Sequence, residues 1–389
     1  MSDKKVFIVS GVRTPMASFR GSFSKVSAAE LGTTAVRAAM ERSGLKDSEI
    51  EEIIGGCVLS AGQGQNVTRQ IALACDFPAS VQAVTVNKVC SSSMKALVFA
   101  AMSIKCGYRN RIVVVGTENM SQVPFYVPRG ELPYGGVTLT DGIAKDGLED
   151  AKEKVPMGVC AEKTAKETQI SRAEQDEYAI NSYKKAAAAW QTGKFADEVV
   201  PVTISQNGKP GIVVSEDEEF KKLNESKVGS LRTVFDKNGT ITAANASSLN
   251  DGAAAAVVVS SESLPQGATP LAEVVAFAEA GLPPIDFTLA PVNAVQELLA
   301  KSNLSVGDIA LWEINEAFSV TVLAFAKELG VDLGRVNVKG GAVALGHPLG
   351  MSGIRIVISL AHSLSSGQYG IAAICNGGGE ATAVLLRKP

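Results

Sequence analysis

The sequence predicts a layered α/β fold of two like halves with a different segment inserted between them. Three observations carry this: self-similarity at one fixed offset, strands alternating with amphipathic helices in both flanking regions, and a change of composition in between. Ser43-Gly44-Leu45-Lys46-Asp47-Ser48-Glu49-Ile50 falls on Ser302-Asn303-Leu304-Ser305-Val306-Gly307-Asp308-Ile309, an offset of 259 residues (Ser43 to Ser302). The same offset carries Ala35, Val36, Ala39 and Met40 onto Ala294, Val295, Leu298 and Leu299, the core-facing stripe of a helix. It also carries the apolar strand 112–115 onto 371–374. The halves are read as 1–120 and 250–389.

The stretch 121–249 opens with turn residues (Pro124, Pro128, Pro133, Gly135, Gly136) and continues into helices. One helix has a clear start in the capping box Ser171-Arg172-Ala173-Glu174 and an end at Gly193. It reads as a loop domain over the mouth of a site, with a share in subunit contacts. The repeat places Gly116 on Cys375, and Cys90 within two or three residues of His347. Pseudo-twofold related loops would then meet at one central site.

Composition prunes the functions. The chain has 389 residues, 46% hydrophobic and 20% charged, which supplies a large core and excludes wholesale disorder. A net charge of −3 offers nucleic acid no attraction. No apolar run approaches the roughly 18 residues of a membrane span. Six cysteines without a C-x-x-C pair read as free thiols in a reducing compartment, so secretion is not expected. The N-terminal run, residues 1–5, leads straight into a strand, with no signal or transit segment legible. The setting is then cytosolic, or the mitochondrial matrix with a leader absent from this chain. With only His347 and His362, a Cys/His zinc site or a two-histidine catalytic pair would consume both. Gly62-Gln63-Gly64 lacks the third glycine of a dinucleotide loop.

Four segments carry reactive residues. Cys90 follows a strand ending near Asn87 and precedes an apolar helix, where free N–H groups and the helix dipole favour a thiolate. A buried structural cysteine is the alternative. His347 sits between Gly346 and Pro348 in a glycine-rich loop, suited to activate a thiol or polarise a carbonyl. His362 lies mid-helix and reads as structural. Cys375 ends a buried strand before three glycines, whose bare N–H groups could face an oxyanion or simply make a hairpin. Asn315 could orient a water and Glu316 could cap a helix.

Taken together, N-K-V-C-S-S-S-M around Cys90, N-V-K-G-G-A-V-A-L-G-H-P-L-G-M-S-G around His347, C-N-G-G-G-E-A around Cys375 and N-E-A-F at 315–318 resemble the signatures of the thiolase family. The likeness spans the whole chain and is strongest to the acetoacetyl-CoA thiolases of animal mitochondria. It implies two βαβαβαββ halves in a five-layer αβαβα thiolase fold. It implies that Cys90 is acylated, that His347 activates it, and that His347 with a water on Asn315 forms one oxyanion hole. Cys375 would move the α-proton, and the N–H groups of Cys90 and Gly377 would form the second oxyanion hole. A Claisen condensation run in two steps through an acyl-cysteine fits these residue types.

The resemblance further implies coenzyme A as a substrate, with no cofactor needed for the chemistry. Its binding residues would be Ser247, Lys222, Asn224, Lys227 and Tyr183, with Met157, Phe287 and Phe318 around the acyl group. A potassium ion would be held by Tyr183 and the carbonyls of Ala243, Ala244, Ala246 and Val343, an oxygen-only set suited to a hard cation. A homotetramer, a dimer of dimers, is also implied. Two positions depart from the family pattern: Pro156 stands where a histidine is usual, and Thr288 follows Phe287 where the mitochondrial type has Phe-Pro. That Phe-Pro pair is tied to 2-methyl-branched substrates, so Phe287 speaks for that specificity and Thr288 against it. Ketoacyl and hydroxymethylglutaryl synthases share two halves and a nucleophilic cysteine but lack the second thiol. An idle acyl-CoA or lipid binder is the non-enzymatic reading.

Overall fold

The computed structural model describes residues 4–131, 133–206 and 209–389; Met1, Ser2 and Asp3, the start of the N-terminal run, lie outside them. The first half comprises β1 (Val6–Arg13), β2 (Ala17–Ser18), α1 (Ala28–Ser43), β3 (Glu52–Gly56), α2 (Val67–Ala74), β4 (Gln82–Val86), α3 (Ser92–Lys105) and β5 (Arg111–Asn119). Next come β6 (Phe125–Tyr126), β7 (Thr140–Asp141), α4 (Met157–Thr168), α5 (Arg172–Gln191), β8 (Val202–Gln206), β9 (Lys209–Val214) and α6 (Glu225–Val228). The chain then continues through β10 (Asn250–Ser260), β11 (Ala272–Gly281), α7 (Ala290–Ser302), β12 (Ile309–Ile314), α8 (Ser319–Leu329), α9 (Ala342–Leu345), α10 (Leu349–Ser363), β13 (Tyr369–Asn376) and β14 (Glu380–Arg387).

The main sheet runs β4-β3-β5-β10-β1-β11-β14-β13-β12. Its two sides mirror each other. β4, β3 and β5 are parallel and β10 and β1 follow antiparallel. On the other side β12 and β13 are parallel, and β14 and β11 follow antiparallel. In the place of β4 the second half has a single parallel bridge from Val336 to Trp312. β1 and β11 pair only at Phe7/Glu273 and Ile8/Ala272, so the ladder is two sheets joined at a narrow seam.

Strand alternation builds the layers. On β10, Ala254, Ala256 and Val258 face a central core with α3 and α10. Ala253, Ala255 and Val257 face an outer core with α1 and α2. On β14, Val384 and Leu386 join the same central core, while Ala383 and Leu385 face α7 and α8. The order is helix, sheet, helix pair, sheet, helix, as expected. The repeat extends to the helix ends. α1 stops at Gly44 (φ 69°) and α7 at Asn303 (φ 53°), equivalent positions whose residue types both tolerate the left-handed cap.

The helix pair at the centre is packed backbone to backbone. A Cβ on Gly353 of α10 would lie 2.5 Å from Met94 N of α3. One on Gly56 would lie 2.4 Å from Ser93 N, and one on Gly116 would lie 2.7 Å from Gly350 O. Ser93 Oγ donates to Met351 O (3.2 Å) and accepts from Ile354 N (2.9 Å), stitching the two helix starts together. Gly353→Ala is therefore expected to cost about 1–3 kcal/mol by overpacking and to lower the melting temperature. Gly229→Ala, where an added Cβ meets nothing within 4 Å, serves as the control and should leave melting unchanged. Equal melting for both variants would contradict this packing.

Candidate active site

The crossing of α3 and α10 fixes where the reactive residues stand. Cys90 lies two residues before α3 begins at Ser92, and His347 lies two residues before α10 begins at Leu349. Val89, just before Cys90, has φ 48°, a left-handed conformation disfavoured for a β-branched residue. It is held there by Ser92 Oγ, which accepts from Lys88 N (2.8 Å) and donates to Val89 O (2.6 Å), and by Asn87 Oδ1, which accepts from Val89 N (3.0 Å).

Cys375 is the last residue but one of β13, and Gly377, Gly378 and Gly379 make the hairpin turn into β14, with φ 94° and 91° at the last two. The glycines make the hairpin, and the Gly377 N–H points at the Cys90 sulfur. Ser91 Oγ donates to Asn376 Oδ1 (2.7 Å), joining the Cys90 and Cys375 loops from opposite halves.

His347 is buried and pinned on all sides. Its N–H donates to Asn250 Oδ1 (2.9 Å), its Nδ1 is 2.6 Å from Ser352 Oγ, and its Nε2 is 3.4 Å from Asn315 Nδ2. Glu316 does not cap α8, whose N-cap is Phe318 with no side-chain bond. Its carboxylate instead accepts from Tyr178 OH (2.7 Å), Ser182 Oγ (2.8 Å), Asn337 Nδ2 (2.8 Å) and Val343 N (3.0 Å). Four neutral donors thus hold the 337–347 loop against α5. Glu118, at the end of β5, accepts from Val58 N, Leu59 N and Gly350 N, fixing the start of α10 from the other side.

These residues close around a cavity of about 470 Å³. Cys90, His347 and Gly377 line its floor and Met157, Ser247, Phe287 and Phe318 its walls. Phe235 covers one side, stacked edge-on to Phe318 at 6.4 Å. Gly158 leaves room for the Phe235 ring, which a Cβ would meet at 2.0 Å. Asn315 and the fully buried Cys375 lie behind this lining, Asn315 on the His347 ring and Cys375 within the field of Cys90.

The electrostatics depart from the thiolate expected at a helix start. Burial pushes Cys90 up to about 12, and the N–H groups of Gly377 and Cys90 itself offset only part of that. Burial, then the neighbouring Cys90, pushes Cys375 above the ordinary thiol range. Burial, then Arg355, pulls His347 down to about 3. In this dry pocket desolvation outweighs the partial charges of the helix ends. The resting site is a neutral thiol beside a neutral imidazole.

The sequence-read residues divide accordingly. Cys90, His347, Gly377, Met157, Ser247, Phe287 and Phe318 come together, with Asn315 and Cys375 behind them. Lys222, Asn224 and Lys227 are exposed and outside the cavity. Lys222 bonds Ser18 Oγ and Glu219, and Asn224 accepts from Ser226. Tyr183 packs beside the central core, away from the lining. His362 is structural, its Nε2 2.9 Å from Gly11 O. Val89, Phe235, Asn250 and Ser352 were not singled out from sequence. Ser352 had a usable signal, five residues past His347 in the first turn of a helix, whereas Phe235 had none.

Comparison with known proteins accords with this geometry. Residues 6–262 match the model of the thiolase N-terminal domain and 268–388 that of the thiolase C-terminal domain. Mitochondrial acetyl-CoA acetyltransferase A of Xenopus laevis is 54% identical over 99% of this chain and 92% of its own. The mitochondrial acetyl-CoA acetyltransferase of Homo sapiens is 52% identical over 99% and 91%. The crystal structure of Acat5 thiolase from Ascaris suum in complex with coenzyme A superposes with a TM-score of 0.96 at 56% identity, covering 99% of this chain and all of that one. With both domain models matched end to end and relatives more than half identical, the chain belongs to the thiolase family.

Proposed function

We propose that the protein is an acetyl-CoA C-acetyltransferase that interconverts acetoacetyl-CoA plus coenzyme A with two acetyl-CoA, in two steps through an acyl-cysteine. The observation that carries this is the meeting of the Cys90 thiol and the His347 imidazole from opposite halves on one apolar cavity, with the Cys375 thiol buried behind it and N–H groups of Gly377 and Cys90 aimed at the Cys90 sulfur. In thiolysis, Cys90 gives its proton to His347 and its sulfur attacks the 3-oxo carbon. The C2–C3 bond breaks, the electron pair stays on C2, and Cys375 supplies the proton that completes acetyl-CoA. The Cys375 thiolate then takes the proton of a fresh coenzyme A thiol, whose sulfur attacks the acetyl group on Cys90; the Cys90 sulfur leaves and takes its proton back from His347, so both thiols are regenerated. The N–H groups of Cys90 and Gly377 stabilise the oxyanion on the acyl-cysteine carbon, and His347 with a water on Asn315 stabilises the enolate oxygen. The condensing direction reverses each transfer.

Coenzyme A as substrate is supported by the coenzyme A complex of the Ascaris relative. Ser247 sits on the cavity wall, and the exposed Lys222 and Lys227, with Asn224, offer positive and polar groups outside for the phosphates and adenosine. We assign this role to the inserted segment 121–249. Thiolysis of acetoacetyl-CoA would serve ketone-body use, and acceptance of the 2-methyl-branched analogue, as isoleucine breakdown would need, is supported by the apolar Phe287 wall. Thr288, in place of proline, is held by Thr164, with the two hydroxyls 2.5 Å apart. The mitochondrial names of the relatives favour the mitochondrion over the cytosol. Among the described residues no helix is long and apolar enough to cross a membrane.

A potassium site at Tyr183, Ala243, Ala244, Ala246 and Val343 is supported by the turn chemistry. The N–H groups of Ala244, Asn245 and Ala246 all turn inward onto Thr242, which folds the segment into a tight turn. Glu219 and Glu316 put negative potential on the Tyr183 phenol, which burial first and these charges next push up to about 12. The same potential favours a cation. A bound potassium ion would stiffen this turn beside Ser247.

The tetramer reading is supported by apolar surface that the single chain leaves open. β4 has one neighbour in the sheet and Val84 exposed upon it, with Phe99 and Met102 exposed on α3. Phe125, Val127, Tyr134, Val137 and Leu139 are exposed together on the segment around β6 and β7.

Following acetoacetyl-CoA loss with added coenzyme A is expected to show thiolysis by wild type, faster in potassium than in sodium, and a loss of about 10³-fold or more in Cys90→Ala. No thiolysis by wild type would overturn the assignment, and equal rates in the two salts would overturn the potassium site. Light scattering should give a tetramer, and Val137→Asp with Leu139→Asp should give a dimer; a monomeric wild type would contradict the assembly.

A further inference from the structure

His347 does its work through one ring nitrogen, and its surroundings decide which. Nδ1 lies 2.6 Å from Ser352 Oγ. The same hydroxyl lies 2.8 Å from Pro348 O, which only accepts. A hydroxyl has one proton to give. If it goes to Pro348 O, the Nδ1 contact is a hydrogen bond only when Nδ1 carries the ring proton. If it goes to Nδ1, two oxygens face each other at 2.8 Å with no proton between them. The other ring nitrogen gives the same answer: Nε2 is 3.4 Å from the amide nitrogen of Asn315, a donor that suits a bare lone pair. Ser352 is buried, and the backbone N–H of His347 is already taken by Asn250 Oδ1.

We propose that Ser352 is the positioning residue that holds His347 in the Nδ1–H tautomer, so that bare Nε2 is the base for Cys90. The inference rests on the assignment of Cys90 as nucleophile and His347 as its base. In the step it serves, the Cys90 S–H bond breaks and an Nε2–H bond forms, leaving a thiolate and an imidazolium. The Ser352 oxygen goes on accepting from Nδ1–H throughout, and so shares the new positive charge. The opposite tautomer would turn an N–H toward the cavity and leave the thiol without a base. Ser352 touches neither sulfur nor substrate; it acts through the ring.

The chain has only two histidines, which makes the tautomer directly readable. Nitrogen NMR of protein labelled only at histidine gives two ring-nitrogen pairs, told apart by a His362→Gln variant. Wild type is expected to show His347 protonated at Nδ1 and bare at Nε2. Ser352→Ala should shift His347 toward the Nε2–H form and slow iodoacetamide alkylation of Cys90 by about tenfold to a hundredfold. Ser352→Thr, which keeps the hydroxyl, should restore both. A wild-type ring protonated at Nε2, or a Ser352→Ala ring unchanged in tautomer and alkylation rate, would overturn the proposal. Slow alkylation in Ser352→Ala that Ser352→Thr fails to restore would do so as well. Absence of acetoacetyl-CoA thiolysis by wild type with an Nδ1–H ring would sink the enzymatic reading and leave the tautomer assignment standing.

Discussion

The contact that the rest of the structure depends on is the crossing of α3 and α10 at Ser93 and Gly353. Two helices from opposite halves approach until a methyl group would not fit between them. Ser93 bonds the α10 backbone twice, so its own buried hydroxyl has both an acceptor and a donor partner in the core. Because each reactive residue stands two positions before its helix, the crossing brings Cys90 and His347 to one cavity. A repeat that would otherwise be only a record of like halves thereby becomes the geometry of a site.

The same burial that aligns the groups silences them at rest. Neither helix end nor glycine N–H keeps a thiolate in a pocket this dry, and the imidazole beside it stays neutral. In the proposed reaction, N–H donors, a neutral imidazole and a second thiol surround the place where charge would develop. Preorganised dipoles in a water-excluded cavity act most strongly on that transient charge. Support comes from carboxylates that pair with backbone and hydroxyl groups. Glu118 and Glu316 each collect several neutral donors and so fix the loops on either side of His347.

Much of this was legible in the sequence because it rests on local pattern. The offset repeat announced the paired halves, and the alternating core residues of β10 and β14 sit on the faces their period requires. Cys90, His347, Cys375 and Gly377 stood out because glycine and small residues next to a thiol or imidazole have few packing uses. What was not legible depends on residues far apart in the chain. Glu316 looked like a helix cap until Tyr178 and Ser182 of α5 arrived as its partners. The sign of the Cys90 shift depends on how completely the cavity is dried by Phe235, Phe287 and Phe318, whose meeting no spacing encodes. The strain at Val89 is likewise imposed by Asn87 and Ser92 around it, against the preference of a β-branched residue.

The most direct measurement is where an acetyl group lands. The enzyme is mixed with acetyl-CoA alone, quenched in acid, digested and read by mass spectrometry of its six cysteine peptides. Acetyl is expected on Cys90 and on no other cysteine, appearing faster than turnover and discharged by added coenzyme A. Acetyl on Cys375, or no acetyl-cysteine in an enzyme that still turns over, would contradict it.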